Sequence, residues 1–474
     1  MMSRGALFVL GLALALSGGP VAAAEQLSVA EVLKLGELPP PPEHTWQDIK
    51  ADLADNRVHG NGLVRMPIMR AYLNGLYGRI KASANVPDWP GEVWICADTT
   101  LNAHASASGN VYLNIGLLAS AQSEDEVFGV LAHEFGHIYL NHQAAYEANA
   151  TSSSAALVGL LAVKLAHKKL PTSGAWGAGD SIGLVYGVAR ENLLPAWQRD
   201  VEQQADLFAM TLSLKEEYSY PSGYKAFLER LATIEAREPV VPGGASGIKT
   251  HADAQQREAV LTEAVLPLMR RPRPAPRVAP WRAQRDDPQN AEVFGHFAMR
   301  EQIERLQQAG RNDEAMKVAR VAASGATEGD ATMLLLEWDL ARKMGIGAAD
   351  QFAILSKNFS WDEPAWSLVY QAALIAAAVN EPMATGFLEK AFAALGEPGR
   401  AMADMLVYYQ RTNSPWRYNA LYLRCTLNGR FRDTCFARTQ TPAQKAQLEA
   451  QQKSRQQELE NNFKAKLDRI FNLK

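Results

Sequence analysis

Ser123-Glu124-Asp125-Glu126-Val127-Phe128-Gly129-Val130-Leu131-Ala132-His133-Glu134-Phe135-Gly136-His137-Ile138 is the stretch that decides how this chain is read. Ser123 followed three residues later by Glu126 is a capping box, and the acidic first turn suits the positive end of a helix dipole. Val127, Val130, Leu131 and Ile138 continue an apolar stripe at helical spacing, so the segment is expected to be a core-facing helix. Within it stands an HExxH pattern. Two histidines four positions apart are offset by roughly 40° around a helix, so both imidazoles can bind one Zn²⁺ while Glu134 borders the open coordination position. A hydrolytic zinc site needs three protein ligands and a water, so a third ligand has to come from elsewhere in the chain.

It does not follow directly. A metzincin extension would place Gly at position 140 and His at 143, where this chain has Leu140 and Gln143. His142 lies five residues past His137, roughly 140° around a continued helix, and is expected to point elsewhere, as a cation near the last carbonyls. Arg199-Asp200-Val201-Glu202-Gln203-Gln204-Ala205-Asp206 offers a better source. There Glu202 and Asp206 share a helix face, so Glu202 can bind the metal while Asp206 holds the distal nitrogen of a metal-binding histidine. This is the gluzincin arrangement.

The run from Asn110 to Gln143, NVYLNIGLLASAQSEDEVFGVLAHEFGHIYLNHQ, resembles the signature of the CaaX-prenyl-protease and heat-shock-protease family of zinc endopeptidases. EQQAD at 202–206 is similar to that family's third-ligand motif. Thr250-His251-Ala252-Asp253-Ala254-Gln255-Gln256-Arg257 is similar to its later THPxxxxR element, with Ala252 where the family usually has Pro. The resemblance covers roughly residues 60 to 265 and implies one Zn²⁺ per chain, held by His133, His137 and Glu202, with Glu134 as general base and Asp206 and Arg257 in support. It also brings in His251, in one of two roles: a donor to the tetrahedral oxyanion, or a fourth zinc ligand in a resting, self-inhibited state.

Composition agrees with a soluble globular enzyme of two or three domains: 474 residues, 21% charged, net charge −3. No global field points to nucleic acid. Residues 1–24 read as a secretory signal, with Arg4, an apolar run from Ala6 to Leu16, and Ala22-Ala23-Ala24 before the expected mature start at Glu25. In an oxidising compartment Cys425 and Cys435 would pair, leaving Cys96 a buried thiol; two reduced cysteines are the alternative. The best internal apolar stretch, Ala155 to Ala166, contains Lys164 and falls short of the roughly 20 residues that cross a bilayer, so the enzyme is expected to be soluble or peripheral to a membrane.

Ahead of the zinc helix, Ala103–Ser108 and Val111–Ile115 alternate around Gly109-Asn110 like a β-hairpin. Val111, Tyr112, Leu113 and Asn114, or their partner strand, are the candidate substrate-binding edge, because an extended peptide can add to an open strand. His104 faces either that cleft or the protein interior. Between the two metal-binding helices, Thr151 to Pro195 reads either as a mobile lid or as an ordinary packed helix and loop.

The fold expected is α+β and mostly helical. A signal peptide (1–24) precedes a gluzincin domain with a small β-sheet (25–266). A Pro/Arg-rich, helix-incompatible linker (267–290) leads to an all-α domain of tetratricopeptide-like or generic helical hairpins (291–440), and a C-terminal helix follows (441–474). Hairpins are expected to start near Ala291, Asp330, Glu363 and Arg400, with Gly310-Arg311 as one inter-helix turn. With the family resemblance, this organisation implies a periplasmic metalloendopeptidase acting on unfolded or misassembled outer-membrane proteins, its repeats engaging clients or assembly machinery. The alternative is an assembly scaffold or chaperone with latent protease activity.

Overall fold

The computed structural model describes residues 36–144, 194–235, 274–360 and 364–427, together with Ala30, Leu33, Cys435 and Thr439. Residues 1–24, expected to be a signal, residues 145–193, the THADAQQR element with His251 and Arg257, and the C-terminal segment from 441 lie outside the described residues. The architecture is α+β: a small sheet among helices, followed by helical hairpins.

Helix α1 (Ile49–Val58) starts at Asp48, whose carboxylate accepts from the Ala51 N–H at 2.8 Å. Helix α2 (Pro67–Ser83) carries proline in its first turn, where a missing N–H costs nothing. Strands β1 (Val93–Cys96), β2 (Ala103–Ala105) and β3 (Val111–Asn114) form a sheet in the order β1-β3-β2. β3 pairs parallel to β1 (Val93 opposite Val111) and antiparallel to β2 (Ala103 opposite Leu113). The hairpin is therefore present, though shorter than the alternation suggested. Its turn passes through Gly109 at φ +88, where a Cβ would also sit 2.5 Å from the Pro90 carbonyl oxygen. Buried Asp52 of α1 locks this turn, one carboxylate oxygen accepting from Ser106, Ser108, Asn110 and Tyr112 at 2.7 to 2.9 Å.

The sheet order corrects one expectation. Val111, Tyr112, Leu113 and Asn114 form the central strand, buried throughout and paired on both sides, so they offer no open edge. The alternation of apolar residues identified the strand, but its parallel neighbour is contributed by residues too distant for a local pattern to show.

After the short α3 (Ile115–Ser120) comes α4 (Glu124–Tyr139), the HExxH helix. The Ser123 hydroxyl caps it, accepting from Glu126 N–H at 3.3 Å, and the Glu126 carboxylate reaches back to Gln122 N–H at 3.0 Å. Its acidic first turn does more than face the dipole. Glu124 accepts from Tyr218 at 2.6 Å, from Arg79 at 3.1 Å and from Tyr72. Asp125 accepts from the backbone N–H of Ser219 and of Arg277. Glu126 takes both guanidinium nitrogens of Arg230 at 2.9 and 2.6 Å. Helices α5 (Leu194–Lys215) and α6 (Tyr224–Glu235) pack directly on α4, which is buried at every residue from Glu124 to Gly136.

A second correction concerns the Pro/Arg-rich segment. Residues 274–277 are extended, but Val278–Arg285 form helix α7 and Pro288 begins α8 (Pro288–Gln308). Pro280 falls in the first turn of α7, where no intrahelical donor is needed, so the proline does not exclude a helix. Trp281 of α7 is buried, and its indole N–H donates to the Ala121 carbonyl at 2.8 Å.

Among the described residues four helical hairpins follow: α8 with α9 (Asn312–Ala322), α10 (Ala331–Lys343) with α11 (Ala348–Ser356), α12 (Trp366–Ala377) with α13 (Glu381–Ala394), and α14 (Gly399–Arg411) with α15 (Pro415–Leu427). Their starts lie close to those read from the sequence, and Gly310 and Arg311 do connect the first pair. Each helix packs chiefly on its chain neighbours, the pattern of stacked repeats. Cys425 and Cys435 form a disulfide and Cys96 is a buried free thiol. Among the described residues no helix is long and apolar enough to cross a membrane.

Burial alone would raise the Glu124 carboxyl's pKa, but the hydrogen bonds from Tyr218, Tyr72 and Arg79 outweigh it and hold the group below the usual carboxylate range. A depressed folded-state value contributes stability above the unfolded value of about 4.3 and loses it as pH falls through the folded value. Glu124→Gln should therefore cost about 1–3 kcal/mol at pH 7 and progressively less toward pH 3. Urea unfolding at the two pH values checks this; an equal penalty at both would contradict it.

Candidate metal centre

The α4–α5 interface assembles the site. Gly136, inside the HExxH motif, lets the helices approach closely: a Cβ there would meet Phe208 at 3.2 Å and the Ala205 Cα at 3.3 Å. Across this contact His133 Nε2 and His137 Nε2 lie 3.2 Å apart, and each is 3.5 Å from one oxygen of Glu202. The ligand atoms of His133, His137 and Glu202 all fall within 4.8 Å of one another. Two imidazole nitrogens and a carboxylate converging from two rigid helices match the donor set of a three-ligand zinc site.

The rear of the site is equally ordered. His133 Nδ1 is 2.9 Å from Asp206 Oδ1, and the same oxygen accepts from the Tyr224 hydroxyl at 2.7 Å. The Tyr224 ring also stacks near His133, with centroids 5.6 Å apart. Asp206 is 1% exposed, so its charge is balanced by these donors and not by solvent.

His142 is not the helix-end cation, pointing away from the site, that its spacing suggested. It is buried, its Nδ1 lies 3.1 Å from His137 Nδ1, and its Nε2 is 3.4 Å from Gln204 Oε1. Burial pushes its imidazole down to about 4, so it is neutral at pH 7. The helical wheel failed here because α4 stops at Tyr139 and Asn141 adopts φ +54, which folds the chain back onto His137.

Glu134 is 2% exposed and lines a cavity of about 30 Å³ with His133, Tyr224 and the apolar side chains of Leu117, Val130 and Leu228. That is room for one or two water molecules beside a carboxylate. Leu101, Asn102 and Ala103, at the start of β2, line the same cavity, whereas none of Val111, Tyr112, Leu113 and Asn114 does. His104 is a structural residue: it stacks on Tyr112 and its Nε2 is 3.1 Å from Asn56 Oδ1. Sequence reasoning missed Tyr224, Gln204 and the roof formed by α6. Only Gln204, inside the EQQAD run, carried a signal that could have drawn attention to it.

Residues 67–265 match the family model described as Peptidase family M48. The chain therefore carries an M48-family, gluzincin-type metalloprotease domain, and the His133, His137 and Glu202 cluster is of the kind that binds catalytic zinc in such an enzyme. It is similar to the beta-barrel assembly-enhancing protease of Yersinia pestis, 28% identical over 172 residues (36% of this chain and 34% of that protein). The beta-barrel assembly-enhancing protease of Escherichia coli is 27% identical over 183 residues, 38% of this chain and 36% of that protein. Mitochondrial metalloendopeptidase OMA1 of Schizosaccharomyces pombe is 27% identical over 166 residues, 35% of this chain and 45% of that protein. These relationships are distant, and against the two bacterial proteases the match spans about a third of each relative's length.

The Asp206 arrangement predicts a stability effect that needs no metal. Asp206→Ala strands the His133 Nδ1–H and the Tyr224 hydroxyl in the core, each at a cost of about 1–3 kcal/mol. Metal-stripped protein should lose about 2–4 kcal/mol by urea unfolding in a chelator. A loss below about 1 kcal/mol would mean that the carboxylate is not the partner of both groups.

Proposed function

We propose that this protein is a periplasmic zinc metalloendopeptidase that hydrolyses unfolded or misassembled outer-membrane proteins and recruits them, or the assembly machinery, through its tetratricopeptide-like helical hairpins. The observation that carries the proposal is the convergence of His133, His137 and Glu202 beside a buried Glu134 in a cavity that accommodates water. The distant similarity to beta-barrel assembly-enhancing proteases supports the client class. The signal-like residues 1–24 and the Cys425–Cys435 disulfide support an oxidising compartment.

In this reading His133, His137 and Glu202 would hold the metal, one ion per chain. Zn²⁺ bound there supplies Lewis-acid polarisation of the scissile carbonyl and lowers the pKa of a water toward about 7. The Glu134 carboxylate takes a proton from the attacking water and delivers it to the leaving amine. Asp206 fixes the His133 ring, and Tyr224 fixes Asp206. Of the two strands expected to dock substrate, the reading favours the partner strand β2 with its approach from Leu101, because that stretch lines the cavity beside Glu134. For His251, which lies outside the described residues, we favour a latch that would hold the metal at rest, with Arg257 in support, over an oxyanion donor.

Glu134→Gln should abolish peptide hydrolysis while about one zinc per chain is retained, whereas His133→Ala, His137→Ala or Glu202→Ala should lose the metal. Metal analysis and a peptidase assay on the purified proteins decide it: zinc lost equally in all four would contradict the roles. Full rescue of a deletion strain by Glu134→Gln would favour the scaffold reading over the protease. His251→Ala should raise basal proteolysis with zinc retained. A fall of about a hundredfold would instead make His251 an oxyanion donor.

A further inference from the structure

His137 presents Nε2 to Glu202 and to His133 Nε2, which leaves its Nδ1 on the opposite side of the ring, 3.1 Å from His142 Nδ1. Two imidazole nitrogens at that separation bond through a single proton: two hydrogens would collide, and two bare lone pairs would repel. With the Nε2 lone pair of His137 committed to a cation, the proton belongs on His137 Nδ1 and His142 Nδ1 is the acceptor. His142 is then the Nε2–H tautomer, and that hydrogen points to Gln204 Oε1, 3.4 Å away. Every donor in the chain meets an acceptor. Only 7% of His142 is exposed, so little water competes for either nitrogen.

We propose that His142, anchored by Gln204, is the positioning residue for the metal ligand His137, fixing its tautomer and ring orientation as Asp206 does for His133. The inference rests on the metalloprotease reading above. It gives the two histidine ligands unlike supports, one ionic and one neutral. A neutral partner holds the ring without adding a further buried negative charge beside Glu134, Glu202 and Asp206, each of which is less than a tenth exposed. It also assigns a third duty to helix α5: Glu202 faces the metal position, while Asp206 and Gln204 end the two supporting chains behind the histidines.

The test uses the full chain and zinc itself. His142→Phe keeps a ring in the pocket and removes both nitrogens, His142→Gln restores an acceptor, and Gln204→Leu removes the anchor. Zinc affinity is read by competition with a chromophoric chelator, ligand geometry by the visible bands of the Co²⁺-substituted protein, and packing by thermal melting of the zinc-free protein. His142→Phe should weaken zinc binding about 10- to 100-fold and shift the Co²⁺ bands, with zinc-free melting unchanged. His142→Gln should recover most of the affinity, and Gln204→Leu should show a smaller loss. Affinity within about twofold of wild type in His142→Phe overturns the inference. So does a parallel loss of zinc-free stability, which assigns His142 to packing, or a loss as complete as that of His137→Ala, which makes it a ligand. A wild-type protein that binds no zinc overturns the metalloprotease reading as well, a result distinct from a wild type and a variant that bind zinc equally.

Discussion

Three consecutive carboxylates in the first turn of α4 hold this structure around its chemistry. Glu124 ties the helix to α2 through Tyr72 and Arg79 and to the end of α5 through Tyr218; Asp125 takes the backbone at Ser219 and Arg277; Glu126 takes Arg230 of α6. All three are buried, so an unmet lone pair there would carry a desolvation cost that surface acids escape. The N-terminus of a helix already favours negative charge, and here that preference is extended into an anchoring point for four neighbouring segments. The direction in which α4 projects His133 and His137 follows from that anchorage.

The site is built by apposition of two helices and not by a loop. Helical periodicity places His133 over His137 and Glu202 over Asp206, and the absent side chain of Gly136 lets the two faces meet. The ligands therefore sit on rigid elements whose rotamers are fixed from behind by Asp206, Tyr224 and His142. α6 completes the cavity wall with apolar side chains, so Glu134 lies in surroundings with room for only one or two waters.

What could be read from the sequence was whatever a local period enforces. The ligand set follows from two four-residue spacings on helices, and the hairpin starts follow from a repeat length near 35 residues, a period that survives divergence. Three features escaped for identifiable reasons. Val111–Asn114 reads as a strand, but whether it lies at the edge depends on pairing with Val93–Cys96, a non-local fact. His142 was projected along a helix that had already ended, and the positive φ of Asn141 reversed its direction. Pro280 suggested a break in a segment where proline occupies a tolerated first-turn position. The partners Tyr224 and Arg230 were invisible for a simpler reason: they reach the site through tertiary packing, with no spacing rule to the motifs they support.

The division of ligands between α4 and α5 bears on when the chain becomes able to act. His133 and His137 emerge together, but Glu202, Gln204 and Asp206 lie far downstream, and they meet the histidines only when Phe208 and Ala205 close over Gly136. An unfolded or incompletely synthesised chain therefore holds two histidines and no assembled metal site. Competence arrives with the docking of one helix pair, so the same contact that completes the core also ends a period of built-in silence during biogenesis.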